Sequence, residues 1–191
     1  MVKALILFDG ENTEGDRDGD EFDRWAHNAV DCYEESQVYE IHGDSALEKR
    51  QEMFNFLRGQ PTQYFDRVLF FCHGAPKNLN RKMVSDVNCE TFSRLVNERL
   101  VRDGAIVFFS CRTAETNDGF ARWVADYTGK RVIGHQTRGH TAINPFKVLL
   151  DHVGVTYEEL WEPEGGVDML RNYLNSDSDA PFEFIEKVFH S

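Results

Sequence analysis

Two short apolar runs with a helix-length segment between them constrain this chain more than any other feature. The first, Val68-Leu69-Phe70-Phe71-Cys72, runs into His73-Gly74, and the second, Ala105-Ile106-Val107-Phe108-Phe109-Ser110, runs into Cys111. Both are continuous and rich in β-branched and aromatic residues, the pattern of a strand buried on both faces. The segment 88–102 reads as a helix. A strand-helix-strand crossover makes its two strands parallel neighbours. Parallel neighbours end at the same edge of a sheet, so an imidazole and a thiol arrive side by side. In open α/β sheets that carboxyl edge is where ligands bind.

The same alternation runs along the chain. A strand is predicted over 2–8, stopped by Asp9-Gly10. An acidic loop follows over 9–20, then a helix over 20–35 with Phe22, Trp25, Ala26, Ala29 and Tyr33 near helical spacing. A short strand over 37–41 ends at His42-Gly43. Asp44 or Ser45 caps a helix over 46–58, with Leu47, Met53, Phe54 and Leu57 as its apolar face. Strands over 67–72 and 105–110 follow, separated by a loop over 74–87 and the central helix. Asn117 or Asp118 opens a further helix closed by Gly129, and Arg131-Val132-Ile133 begins a fifth strand. Such an order predicts an α/β fold, a three-layer α/β/α sandwich with a mostly parallel sheet. Beyond Arg138 the pattern weakens into short helices over 146–153, 158–161 and 166–174, and a helix or edge strand over 182–189. The whole chain, 1–191, is expected to form one domain, a core over 1–137 with a C-terminal helical extension over 138–191.

Bulk properties narrow the function. A formal charge of −12 leaves no basic excess for a general nucleic-acid binder and argues against an anionic membrane surface. No apolar run approaches the roughly 20 residues that span a bilayer. The start is too short and too soon acidic for a signal peptide. Cys32, Cys72, Cys89 and Cys111 show no CxxC spacing, which suits reduced thiols in a cytoplasmic setting. There is no GxGxxG after the first strand, no GxxxxGK[ST] and no GxSxG. A Cys-phosphatase loop would want arginine where Asn117 stands.

The chemistry left is that of a thiol beside a base. A thiol attacks as thiolate, and a nearby imidazole is the usual means of producing one. His73 is the candidate base and Cys111 the candidate nucleophile. Gly74 lets a substrate backbone approach, and its N–H with that of Cys111 would suit an oxyanion hole. Cys72 is expected to face the core, with Cys32 and Cys89 as packing residues on helices. His42-Gly43 also follows a strand, but one at the sheet edge, away from Cys111.

An apolar strand into His-Gly followed by an apolar strand into Ser-Cys resembles the caspase-like (clan CD) cysteine peptidases. The resemblance covers about 2–137, in strand order as well as in the two motifs. It implies a sheet ordered 2-1-3-4-5. It also implies His73 as general base or acid, Cys111 as nucleophile, Gly74 at the oxyanion hole, and peptide cleavage through an acyl-enzyme. In many members the residue two before the cysteine reads the P1 side chain; here it is Phe109, followed by Ser110, and Phe109 can neither hydrogen-bond nor neutralise a charge. In the family the segment after strand five lines the substrate groove, which would place Thr137 and Arg138 there, with Arg138 able to hold a carboxylate. The alternatives are an inactive binding or scaffold protein of the same fold, and a small-molecule site at the same edge.

Three further groups stand out. Asp9 ends the first strand and would face the same edge, where it could select a basic P1 residue. The alternative for Asp9 is a place in a solvated acidic loop. Asp16, Asp18 and Asp20 have calcium-like spacing but lack the rest of an EF-hand loop. His27, His135, His140 and His152 lack zinc-ligand spacing. No metal or cofactor is therefore expected, and the partner expected is a peptide or protein substrate.

Overall fold

The computed structural model describes residues 2–11, 18–136 and 186–189. The main sheet contains β1 (Lys3–Phe8), β2 (Glu35–Glu40), β3 (Phe65–Phe71), β7 (Leu100–Phe109), β8 (Arg131–His135) and β9 (Glu186–Phe189). Their order is β2-β1-β3-β7-β8-β9. The first five are parallel and β9 is antiparallel on β8. Counted among the major strands, this is the order 2-1-3-4-5 expected from the sequence. Of the segment expected as helix or edge strand over 182–189, residues 186–189 form an edge strand. The helices expected over 146–153, 158–161 and 166–174 lie outside the described residues.

The parity of the strand residues explains the layering. Leu5, Leu7, Val68, Phe70, Ile106 and Phe108 point to one face, where Met53, Phe54 and Leu57 of α2 (Ala46–Gly59), Phe92 and Val96 of α3 (Asp86–Arg99), and Phe120 and Val124 of α4 (Phe120–Thr128) cover them. Ala4, Ile6, Phe8, Leu69, Phe71, Val107 and Phe109 point to the other, under Trp25, Ala26 and Ala29 of α1 (Asp18–Val30). Adjacent strands therefore stack ring on ring, Phe70 on Phe108 at 5.3 Å and Phe71 on Phe109 at 4.4 Å. Each fully buried phenylalanine contributes about 1.5–3 kcal/mol by leaving water.

Local signals set the helix ends. Ser45 caps α2 by accepting from the Glu48 amide, and Gly129 closes α4 at φ +66°, donating to the Ala125 carbonyl. Several expectations fail in detail: the helix expected over 88–102 ends at Arg99, where β7 takes over, and the helix expected over 20–35 ends at Val30. Leu47 is half exposed, because only the Met53-Phe54-Leu57 part of α2 meets the sheet. The segment 74–87 is not a plain loop. It folds into a small antiparallel sheet of β4 (Gly74–Ala75), β5 (Asn78–Leu79) and β6 (Val84–Ser85). Strands of two residues are too short to announce themselves by periodicity.

Candidate active site

The β3–β7 register brings the two motifs level. Phe71 pairs with Phe109. One residue further, Cys72 Sγ lies 3.4 Å from Ser110 Oγ. One residue further again, the register sets His73 beside Cys111. The backbone agrees: a Cβ added to Gly74 would stand 2.5 Å from the Cys111 carbonyl oxygen and 2.9 Å from its nitrogen. Only glycine permits chains to approach so closely. His73 and Cys111 are each partly exposed, whereas Cys32, Cys72 and Cys89 are buried.

That difference separates the thiols chemically. Burial pushes the Cys72 thiol up to about 12, against a smaller opposing effect from Ser110. Burial likewise raises Cys89 to about 11. Neither supplies thiolate near neutral pH.

The turn after β7 fixes Cys111. Arg112 adopts φ +60°, and its side chain holds Glu115 through Nη2 at 3.0 Å to Oε1. The Thr113 hydroxyl donates to the Ser110 carbonyl at 3.1 Å, and the Ala114 amide donates to the His135 carbonyl at 2.9 Å. The Phe120 amide at the start of α4 donates to the Pro76 carbonyl at 2.8 Å, joining the segment after Gly74 to the segment after Cys111.

The His73 side is braced by residues that sequence reasoning did not single out. Asn80 is buried at φ +48°. Its amide donates to the His73 carbonyl at 2.7 Å, and its Nδ2 donates to Asp9 Oδ2 at 2.7 Å. Arg81 and Lys82 continue the left-handed turn at φ +53° and +72°. Arg81 Nη2 reaches His73 Nε2 at 2.9 Å. Phe22 of α1 meets the imidazole edge-to-face at 5.2 Å. Asparagine tolerates the left-handed region better than other non-glycine residues, and that was the one available signal for this turn.

The expectation for Asp9 changes. It stands at the end of β1, but it is 4% exposed. Its carboxylate accepts from Lys49 Nζ at 2.7 Å and from Asn80, and also from the Glu11 amide at 3.1 Å. Its carboxylate is thus buried and already engaged by a lysine, an amide side chain and a backbone N–H. Asp9 instead anchors the turn that carries Arg81. Burial pulls the Lys49 ammonium down, but its hydrogen bonds to Asp9 and Glu11 outweigh this and leave it raised.

Phe109 and Ser110, expected at the substrate, are each 2% exposed. Phe109 stacks on Phe71 and meets His135 edge-on, and Ser110 faces Cys72. Both are therefore packed inside the fold at the end of β7, immediately before Cys111. Thr137 and Arg138 lie outside the described residues, as do Asp16 and His140. Among the described residues no group of three or more His, Cys, Asp or Glu side chains is placed to hold a metal, and no helix is long and apolar enough to cross a membrane.

No protein-family model matches the chain, and no curated protein matches it. Among solved structures it is similar to a secreted C11 cysteine protease from Bacteroides thetaiotaomicron in complex with an irreversible peptide inhibitor. The identity is 11%, the TM-score 0.47, and the match covers all of this chain and 66% of that one. The chain thus spans just under two thirds of that protein's length, and so distant a likeness assigns no activity.

Proposed function

We propose that the chain is a cysteine endopeptidase of caspase-like type. The observation that carries this reading is the close approach of the Gly74 backbone, next to His73, to Cys111 at the carboxyl edge of two adjacent parallel strands. Cys111 Sγ attacks the scissile carbonyl carbon, and its proton passes to the His73 imidazole. The N–H groups of Gly74 and Cys111 donate to the oxygen that becomes negative. The carbon–nitrogen bond then breaks, His73 gives the proton to the departing amine, and a thioester to Cys111 remains. Water attacks the thioester and His73 accepts its proton; the carbon–sulfur bond breaks, the carboxylic acid product leaves, and His73 returns the proton to the Cys111 sulfur.

A mixed peptide library with every residue type at P1, analysed by mass spectrometry, tests this. The wild-type chain is expected to cut it. Cys111→Ala is expected to abolish cutting, and His73→Ala to reduce it by about 10²-fold or more. Equal cleavage by Cys111→Ala would contradict the reading. A wild-type chain that cuts nothing would favour a binding or scaffold protein with an unused pair.

A further inference from the structure

We propose that Arg81 is a latch on His73, occupying the one nitrogen at which the ring can take up a proton. The inference rests on the reading of Cys111 as nucleophile and His73 as its proton acceptor. A guanidinium offers only N–H donors, so with Arg81 Nη2 2.9 Å from His73 Nε2, the imidazole nitrogen is the acceptor. The ring is then neutral, with its hydrogen on Nδ1 and its single basic lone pair turned to Arg81. Acyl transfer needs that lone pair, because one proton must leave Cys111 Sγ, rest on the ring and pass to the leaving nitrogen. With Arg81 in place, Nδ1 already carries hydrogen. Protonating Nε2 would set N–H against N–H of a cation. The guanidinium must therefore leave before the proton moves.

The surrounding turn lets Arg81 leave without moving His73. The Arg81 side chain is exposed, whereas its neighbour Asn80 is buried and tied to both the His73 carbonyl and Asp9. The Met83 amide donates to the Asn80 carbonyl at 2.9 Å and closes the turn. Phe22 packs against the imidazole from α1. Displacement of the exposed Arg81 side chain would thus free Nε2 while Asn80, Met83 and Phe22 hold the ring and its backbone.

The sign of one measurement separates this role from a general electrostatic one. Removing a cation near a thiol ordinarily disfavours the thiolate and slows alkylation. Removing a latch frees the base and speeds it. The rate of Cys111 alkylation by iodoacetamide, read by peptide mass spectrometry, is compared among wild type, Arg81→Gln, His73→Ala and the double variant. Arg81→Gln is expected to react about tenfold faster than wild type, the factor for losing one charge-assisted hydrogen bond. The double variant is expected to match His73→Ala. In long-range 1H–15N spectra, His73 of the wild type is expected in the Nδ1–H form, with Nε2–H gaining population in Arg81→Gln. Unchanged or slower alkylation in Arg81→Gln overturns the latch, as does a gain that persists without His73. If His73→Ala alone slows the wild type, the nucleophile–base reading stands even where the latch falls. If His73→Ala changes nothing, both fall.

Discussion

One methyl group is enough to probe the meeting of the two motifs. Gly74→Ala would place a carbon 2.5 Å from the Cys111 carbonyl oxygen, a backbone atom that cannot rotate away. The strands must separate or the turn must shift, at a cost of about 1–3 kcal/mol. Urea denaturation should show that loss, and Cys111 alkylation should change with it; an unaffected midpoint would mean the chains do not touch. The placement of His73, Gly74 and Cys111 just past the ends of two neighbouring apolar strands was legible in the sequence. The position of Asp9 was legible; its burial and its partners were not. Its partners Lys49 and Asn80 come from elements far along the chain, and nothing local announces a buried carboxylate whose oxygens are already engaged.

At the level of elements, the major strands and helices could be read because their periods are long enough to repeat. The hairpin β4–β6 could not, since its strands are two residues each and its turn is held by long-range hydrogen bonds. That turn carries three successive non-glycine residues with positive φ, Asn80, Arg81 and Lys82. Such conformations cost about 1–3 kcal/mol each and persist only where the surroundings hold them. Asn80 is the holding residue. Asn80→Ala is expected to destabilise the chain by about 2–3 kcal/mol, through the lost Asp9 hydrogen bond and a left-handed alanine. Asn80→Gly should cost less, because glycine adopts φ +48° freely and only the side-chain bond is lost. Urea midpoints of the two variants check the order; a glycine variant as unstable as the alanine one would assign the whole effect to the side chain.

Across the whole molecule, the five-strand parallel order follows from alternation that the sequence displays openly. The sixth strand lies where the pattern had weakened, and a four-residue edge strand gives little signal against a helix of similar composition. Sheet formation also buries His135, at the end of β8 beside Phe109. Burial holds its imidazole down at about 4, against an ordinary 6.5. Below pH 6.5 the unfolded chain binds this proton and the folded chain does not. Stability should therefore be full above 6.5 and fall as the pH drops towards 4, by an amount on the order of 3 kcal/mol. His135→Phe should flatten that limb of the urea-midpoint profile. A variant as acid-sensitive as wild type would place the titration elsewhere.

The most direct measurement is covalent capture of the nucleophile. The native chain would be exposed to a set of peptidyl acyloxymethyl ketones varied at P1, and the adduct located by intact mass and peptide mapping. If Cys111 is a peptidase nucleophile served by His73, one adduct forms, on Cys111, and His73→Ala suppresses it. Cys32, Cys72 and Cys89 remain unmodified, as their burial requires. No adduct on Cys111, or an adduct that forms equally well without His73, would contradict that assignment.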